Sequence, residues 1–129
     1  MLVSAYVHMG AVMEMFVKVL KSVSDKTRIR ILKLLLSAGR PLCICEIVDC
    51  LGLAQYNISK HVKELKNAGL VSEKRAGRFM YYALIKSPDN FHKHIHAAVG
   101  AVSDRETVED FKKLSKRSSC AIPAKSNNG

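Results

Sequence analysis

The sequence predicts a mainly α single domain carrying one small β-hairpin. Three observations predict it. Apolar residues recur at helical spacing from Met13 to about Ala68. The period then becomes strand-like in two short runs, Leu70–Arg75 and Phe79–Leu84, on either side of Ala76-Gly77-Arg78. Beyond Pro88 a helical stripe returns at Phe91, Ile95, Ala98 and Val102. A chain of 129 residues has room for one domain. Its 48% hydrophobic content supplies a core and argues against wholesale disorder. The absence of Trp, with seven Gly and three Pro, excludes collagen-like and other low-complexity classes.

The elements follow in order. Met13, Phe16, Val17 and Leu20 fall at i, i+3, i+4 and i+7, one face of a first helix. Ser24-Asp25 offers a cap for a second helix whose apolar residues, Ile29, Ile31, Leu32, Leu34, Leu35 and Leu36, run nearly all the way round, as in a central buried helix. Gly39 and Pro41 stop it. A short helix, Ile44–Leu51, leads through Gly52-Leu53-Ala54 to a further helix from Gln55 to about Ala68, closed by Gly69. After the hairpin, Ser87-Pro88-Asp89 is a helix start. Ser103 and Glu106 form a capping box at which the last helix restarts after a break near Gly100. The domain is expected to span residues 1–115, with 116–129 a polar, disordered tail.

Short helix, glycine turn, second helix and hairpin is the order of a helix-turn-helix followed by a wing. The net charge of +10 and a pI near 9.7 point to a polyanion partner, nucleic acid first and an acidic membrane surface second. In the second helix Ile58, Val62 and Leu65 share an inward face. At about 100° per residue, Tyr56, Lys60 and Lys63 lie roughly opposite, flanked by Asn57 and Ser59, with Glu64 off that face. Gln55, Tyr56, Asn57, Ser59, Lys60 and Lys63 are therefore the residues expected to read or position double-stranded DNA in a major groove. Arg75 and Arg78 on the wing, with Lys74, reach the backbone or minor groove beside it. A lysine-rich helical face read alone is also what a solvated face shows. The glycine turn before it and the basic wing after it are what favour DNA. His61 is expected to pack or to touch a phosphate.

Four cysteines, 43, 45, 50 and 120, do not form a secreted scaffold, because three crowd into eight residues. With no signal-peptide pattern at the N-terminus and Glu14 and Lys18 interrupting the first apolar stretch, a cytoplasmic chain with reduced thiols and no membrane span is expected. Residues i and i+2 project about 200° apart in a helix and stand about 7 Å apart along a strand. Cys43 and Cys45 can share an ion only at a local distortion, which is least costly at the start of the short helix after Pro41. Two thiolates favour soft ions: As(III), Sb(III), Cd(II), Pb(II) or Cu(I). The pair also reads as two small buried hydrophobes. Cys50 lies about 10 Å along the axis from Cys43 and suits the core. Cys120 is the thiol placed to swing in. Of His92, His94 and His96 only the first and last share a helical face.

Leu20-Lys21-Ser22-Val23-Ser24-Asp25-Lys26-Thr27-Arg28-Ile29-Arg30-Ile31-Leu32 resembles the second-helix signature of ArsR/SmtB-type repressors. Gly52-Leu53-Ala54-Gln55-Tyr56-Asn57-Ile58-Ser59-Lys60-His61-Val62-Lys63-Glu64-Leu65, with Ala68-Gly69-Leu70-Val71, resembles that family's recognition helix and its exit. The likeness covers about residues 12–85. It implies a winged helix-turn-helix homodimer, joined through its first and last helices, on an inverted-repeat operator. It also implies an inducer that lowers DNA affinity, with no cofactor required for binding. Leu42-Cys43-Ile44-Cys45-Glu46-Ile47 is similar to the Cys-Val-Cys-Asp motif of the arsenic- and cadmium/lead-responsive branches, which implies ligation by Cys43 and Cys45.

Three departures bear on the ligand. Val48 stands where the arsenic branch often has a third cysteine, and no cysteine precedes Cys43. Ala54 stands where a capping Ser is common. A tetrathiolate for Cd(II) or Pb(II) needs both Cys50 and Cys120. As(III) or Sb(III) needs one more thiol, for which Cys120 is the candidate beside Cys50. A thiol enzyme is not expected, since no glycine-rich anion loop or Cys–Arg arrangement is written near Cys43.

Overall fold

The most apolar stretch of the chain becomes the central helix. In the computed structural model, which describes the backbone of residues 9–86 and 90–117, helices α1 (Met9–Val23) and α2 (Lys26–Ala38) are followed by strand β1 (Leu42–Cys43). Then come α3 (Ile44–Leu51), α4 (Gln55–Asn67), β2 (Val71–Ala76), β3 (Phe79–Leu84), α5 (Asn90–Gly100) and α6 (Arg105–Lys116). Ile31, Leu32, Leu34 and Leu35 of α2 are buried and meet Leu42, Ile47, Ile58, Val62, Leu65, Leu70 and Val71 in one core. Asp25 caps α2 by accepting the Arg28 N–H at 3.0 Å.

The turn between α3 and α4 needs a left-handed residue, and Gly52 supplies it at φ 69°. The hairpin tip has the same requirement, met by Gly77 at φ 64°. Ile58, Val62 and Leu65 turn inward, leaving the rest of α4 to solvent. Residues Ser87 to Asp89, expected to begin a helix, lie outside the described residues.

The structure corrects the sequence reading in three places. The hairpin is part of a three-stranded antiparallel sheet in the order β1-β3-β2, with Leu42 paired to Tyr82 and Cys43 to Tyr81. The cap of α6 is Asp104 and not Ser103: its carboxylate accepts the Thr107 N–H at 3.0 Å. The helix runs to Lys116, and Arg117 at its end is tied to Asp49 of α3.

The stripe Met13, Phe16, Val17 and Leu20 faces solvent in the single chain, while Val19 and Ser22 turn into it. Val108 and Phe111 of α6 are exposed as well. No described helix is long and apolar enough to cross a membrane.

Candidate nucleic-acid interface and thiol motif

Helix α4 presents the surface that the periodicity implies. Gln55, Tyr56, Asn57, Ser59, Lys60 and Lys63 are all exposed. Tyr56 is 72% exposed, and the Lys60 Nζ stands 5.3 Å from the centre of its ring, so the two form one unit. Ala54 is the cap residue and makes no side-chain bond. Lys66 reaches Glu73 of β2 at 3.1 Å and ties the end of α4 to the wing. Arg75 and Arg78 are exposed, with Arg75 opposite Met80 and Arg78 beside the Gly77 turn.

Glu64 departs from expectation. It lines a notch with Asn57, Lys60, His61 and Lys63, so one acid does sit beside the cationic face. His61 accepts a hydrogen bond from Arg28 Nε at 3.1 Å, a bond that no sequence motif announces.

The thiol motif straddles the strand–helix junction. Cys43 is buried and ends β1, and Cys45 is half-buried in the first turn of α3. The two therefore sit across a break in regular structure. Glu46, one residue on, is 1% exposed and accepts the Cys43 N–H at 3.0 Å and an Arg40 N–H at 3.1 Å. Arg117 Nη1 lies 4.0 Å from the same carboxylate. This pairing is what lets a carboxylate sit at such depth.

Tyr81, opposite Cys43, has its phenol pushed up by burial and then by Glu46 and Cys45, which places it at the same corner. Arg40 and Arg117 thus bring guanidinium groups to the Glu46 carboxylate beside the thiols. Arg117 is missed in the sequence because it stands far along the chain, 68 residues from its partner Asp49.

Cys43 is disulfide-bonded, whereas Cys45 and Cys50 are free thiols. The expectation of reduced thiols throughout fails at Cys43. Cys120 is itself outside them. Burial pushes the Cys50 thiol up to about 11, as a core residue requires. No cluster of three or more His, Cys, Asp or Glu able to hold a metal ion occurs among the described residues. On α5, His92 is buried and His96 has a buried Nε2 without a hydrogen-bond partner, its pKa lowered by burial and then by His92.

Two arginines tie this corner to the rest. Arg30 of α2 binds both carboxylate oxygens of Asp110 on α6, at 2.8 and 2.9 Å, and donates to the Leu51 carbonyl at 3.0 Å. Arg117 holds Asp49 at 2.7 Å. The last helix is thereby fastened to the C-terminal part of α3.

The profile described as bacterial regulatory protein, arsR family, matches residues 25–73. The chain is also 38% identical over 68 residues to an uncharacterized HTH-type transcriptional regulator, MJ1325, of Methanocaldococcus jannaschii, covering 53% of this chain and 75% of that one. The chain belongs to the arsR family of regulatory proteins. Within the family it is 41% identical over 66 residues to the arsenic resistance transcriptional regulator ArsR2 of Pseudomonas putida, covering 51% of this chain and 56% of that one. It spans about half the length of such curated relatives. A homodimeric winged helix-turn-helix DNA-binding domain, Mb0332 from Mycobacterium bovis, shares the fold with a TM-score of 0.60 at 24% identity, over 71% of this chain and 81% of that one.

Proposed function

We propose that this arsR-family chain is a homodimeric, cytoplasmic repressor that binds an inverted-repeat operator and leaves it when As(III) or Sb(III) is held by Cys43 and Cys45. Gln55, Tyr56, Asn57, Ser59, Lys60 and Lys63 would meet the major groove, and Arg75 and Arg78 the flanking backbone. The exposed apolar stripes of α1 and α6 support pairing of two copies, as does the homodimeric domain that shares the fold.

The observation that carries the reading is the junction itself. Cys43 lies in a strand hydrogen-bonded to the wing, and Cys45 lies in the helix that leads through Gly52 into α4. Two thiols suit a soft ion, which supplies bonds to sulfur when held there. A third thiol, Cys120 before Cys50, would complete a three-coordinate site. What the chain contributes is coupling. A shift at Cys43 is felt by Tyr81 and hence by β3. A shift at Cys45 moves the first turn of α3, whose far end is held by Arg30 at Leu51.

The test is fluorescence anisotropy of the full chain on a duplex from its own promoter. Arsenite is titrated after reduction of the Cys43 disulfide, with wild type and a Cys43→Ser/Cys45→Ser variant. Release of wild type and retention of the variant is the expected result. Retention of both would discard the metalloid role and leave the DNA-binding role standing. Cd(II) runs as a parallel arm.

The disulfide at Cys43 favours a second reading, release on oxidation of the thiols. Peroxide would then release the reduced protein from DNA without metalloid.

A further inference from the structure

We propose that the notch between the start of α2 and the recognition helix α4 seats one phosphodiester of the DNA backbone, with Arg28 and His61 as its floor. This deepens the DNA-binding half of the function proposed above and does not involve the thiols. The notch encloses about 420 Å³ and is lined by Arg28 from α2 and by Asn57, Lys60, His61, Lys63 and Glu64 from α4. Of these, Asn57, His61 and Glu64 fall at i, i+4 and i+7, on the flank of α4 that faces the start of α2. Lys60, which also stands over the Tyr56 ring, is shared between the notch and the outward face of α4.

Arg28 is held once through its backbone and twice through its guanidinium. Its backbone N–H donates to Asp25, its Nη1 to the Ser22 carbonyl at 3.4 Å, and its Nε to His61 Nδ1 at 3.1 Å. A guanidinium fixed in this way is pre-organised for a planar, multi-toothed contact with phosphate oxygens. Because Nδ1 accepts, the neutral ring of His61 carries its proton on Nε2, leaving a second donor. That tautomer is assigned from the bond.

Two acids face the site. Asp25 lies 3.8 Å from His61 Nδ1 and already caps α2, and Glu64 is on the rim. Against them stand the charges of Arg28, Lys60 and Lys63. The balance and the size fit one singly charged phosphodiester beside the groove. The neighbouring Asn57 is then left at the edge of the bases.

The test uses the full chain without metalloid, so its result is separate from inducer-dependent release. Binding to a random-sequence duplex is measured across a salt series. Arg28→Gln should lower the log–log slope by about 0.9 per protomer and weaken binding about tenfold at low salt. His61→Ala should weaken binding too, and His61→Gln, which can both accept from Arg28 and donate outward, should restore part of the loss.

Single methylphosphonates are then walked along the operator. One position in each half-site should weaken wild type about tenfold and Arg28→Gln hardly at all. Thermal unfolding checks that Arg28→Gln folds; if it does not, the readout is the loss of affinity in His61→Ala and its partial recovery in His61→Gln. An unchanged slope in folded Arg28→Gln, no phosphate that loses its effect in that variant, or unchanged affinity in His61→Ala overturns the proposal and makes Arg28 a brace between helices. Inorganic phosphate, compared with chloride at equal ionic strength, should give no extra competition. Specific competition would instead make the notch a free-anion site and overturn it too. Failure of wild type to bind any duplex would sink the DNA-binding reading itself.

Discussion

Lys60 and Lys63 on α4 stand in solvent with Asn57 and Ser59 around them, and Arg75 and Arg78 do so on the wing. At the other end of the helix-turn-helix the charges are buried and tied. Glu46 is 1% exposed between Arg40, Arg117 and the Cys43 N–H. Asp110 is 2% exposed and holds Arg30 by both oxygens. The contrast separates two uses of charge. A cation that is to meet a polyanion keeps its hydration until the partner arrives, and then contributes through counterion release. A buried ion pair gains little net stability over a hydrophobic substitute, but it makes the geometry around it intolerant of small shifts. On the proposed reading, that intolerance is what would carry a change at Cys43 or Cys45 to α3 and β3.

The largest expected effect breaks the tied region. Asp110→Ala would remove both short hydrogen bonds to the buried Arg30, leaving it Glu106 at 3.6 Å, and release the Leu51 carbonyl from a fixed donor. It should destabilise the fold by about 3–5 kcal/mol, read as a lower urea midpoint at unchanged m. A loss under about 1 kcal/mol would mean that α6 is not fastened to α3 through this pair. The open region should respond in the opposite way. Lys60→Ala/Lys63→Ala should leave stability within about 0.5 kcal/mol yet lower the salt slope of DNA binding by about 0.9 for each phosphate no longer neutralised. Replacing Asn57 should alter sequence preference more than general affinity. A variant that lost stability and kept its slope would place α4 outside the groove.

The two regions are unequally legible in the sequence for the same reason that they differ. The open face is local: Ile58, Val62 and Leu65 define the inward side of α4 by spacing alone, and everything opposite them follows. The hairpin is local too, and Phe79–Leu84 is strand β3 as expected. The tied corner is assembled from distant residues. Arg30 and Asp110 are 80 apart, and Arg117 and Asp49 are 68 apart, so no window on the sequence contains both partners.

Strand β1 is two residues long, too short for any period, and exists only because Tyr81 and Tyr82 pair with it. The cap at Asp104 is displaced by one residue from expectation because Ser103 and Asp104 are both competent caps and only packing chooses between them. Glu64 shares the Asn57 side of α4, since seven residues make nearly two full turns, and the spacing alone is enough to show it.

The thiols sharpen the comparison further within the tied corner. Cys50 is buried with its pKa raised to about 11 from 9.0, chiefly by burial. The native chain at pH 9 therefore keeps it as a thiol, while the unfolded chain is half ionised there. Its contribution to stability is complete below pH 9 and fades as the pH rises through about 11. Iodoacetamide at pH 9 should label Cys45 in the folded protein and reach Cys50 only after unfolding, as mass spectrometry of the peptides would record. Equal labelling of the two would mean that α3 opens readily, contrary to a helix tied at Asp49 and Leu51.

The smallest effect lies where the two regions meet. Ala54 is the cap of α4, at φ −62° and ψ 142°, an extended conformation that a serine adopts without strain. With no side-chain oxygen there, the cap residue offers the first N–H groups of α4 no side-chain acceptor. Ala54→Ser should stabilise the protein by about 1 kcal/mol, visible as a rise in the thermal midpoint. Its effect on DNA binding distinguishes two roles for those N–H groups. If a backbone phosphate normally satisfies them, the serine competes with it, and stability rises while affinity falls. If affinity rises along with stability, pre-ordering the start of the recognition helix is what the natural alanine leaves undone, and the phosphate contacts lie elsewhere on α4.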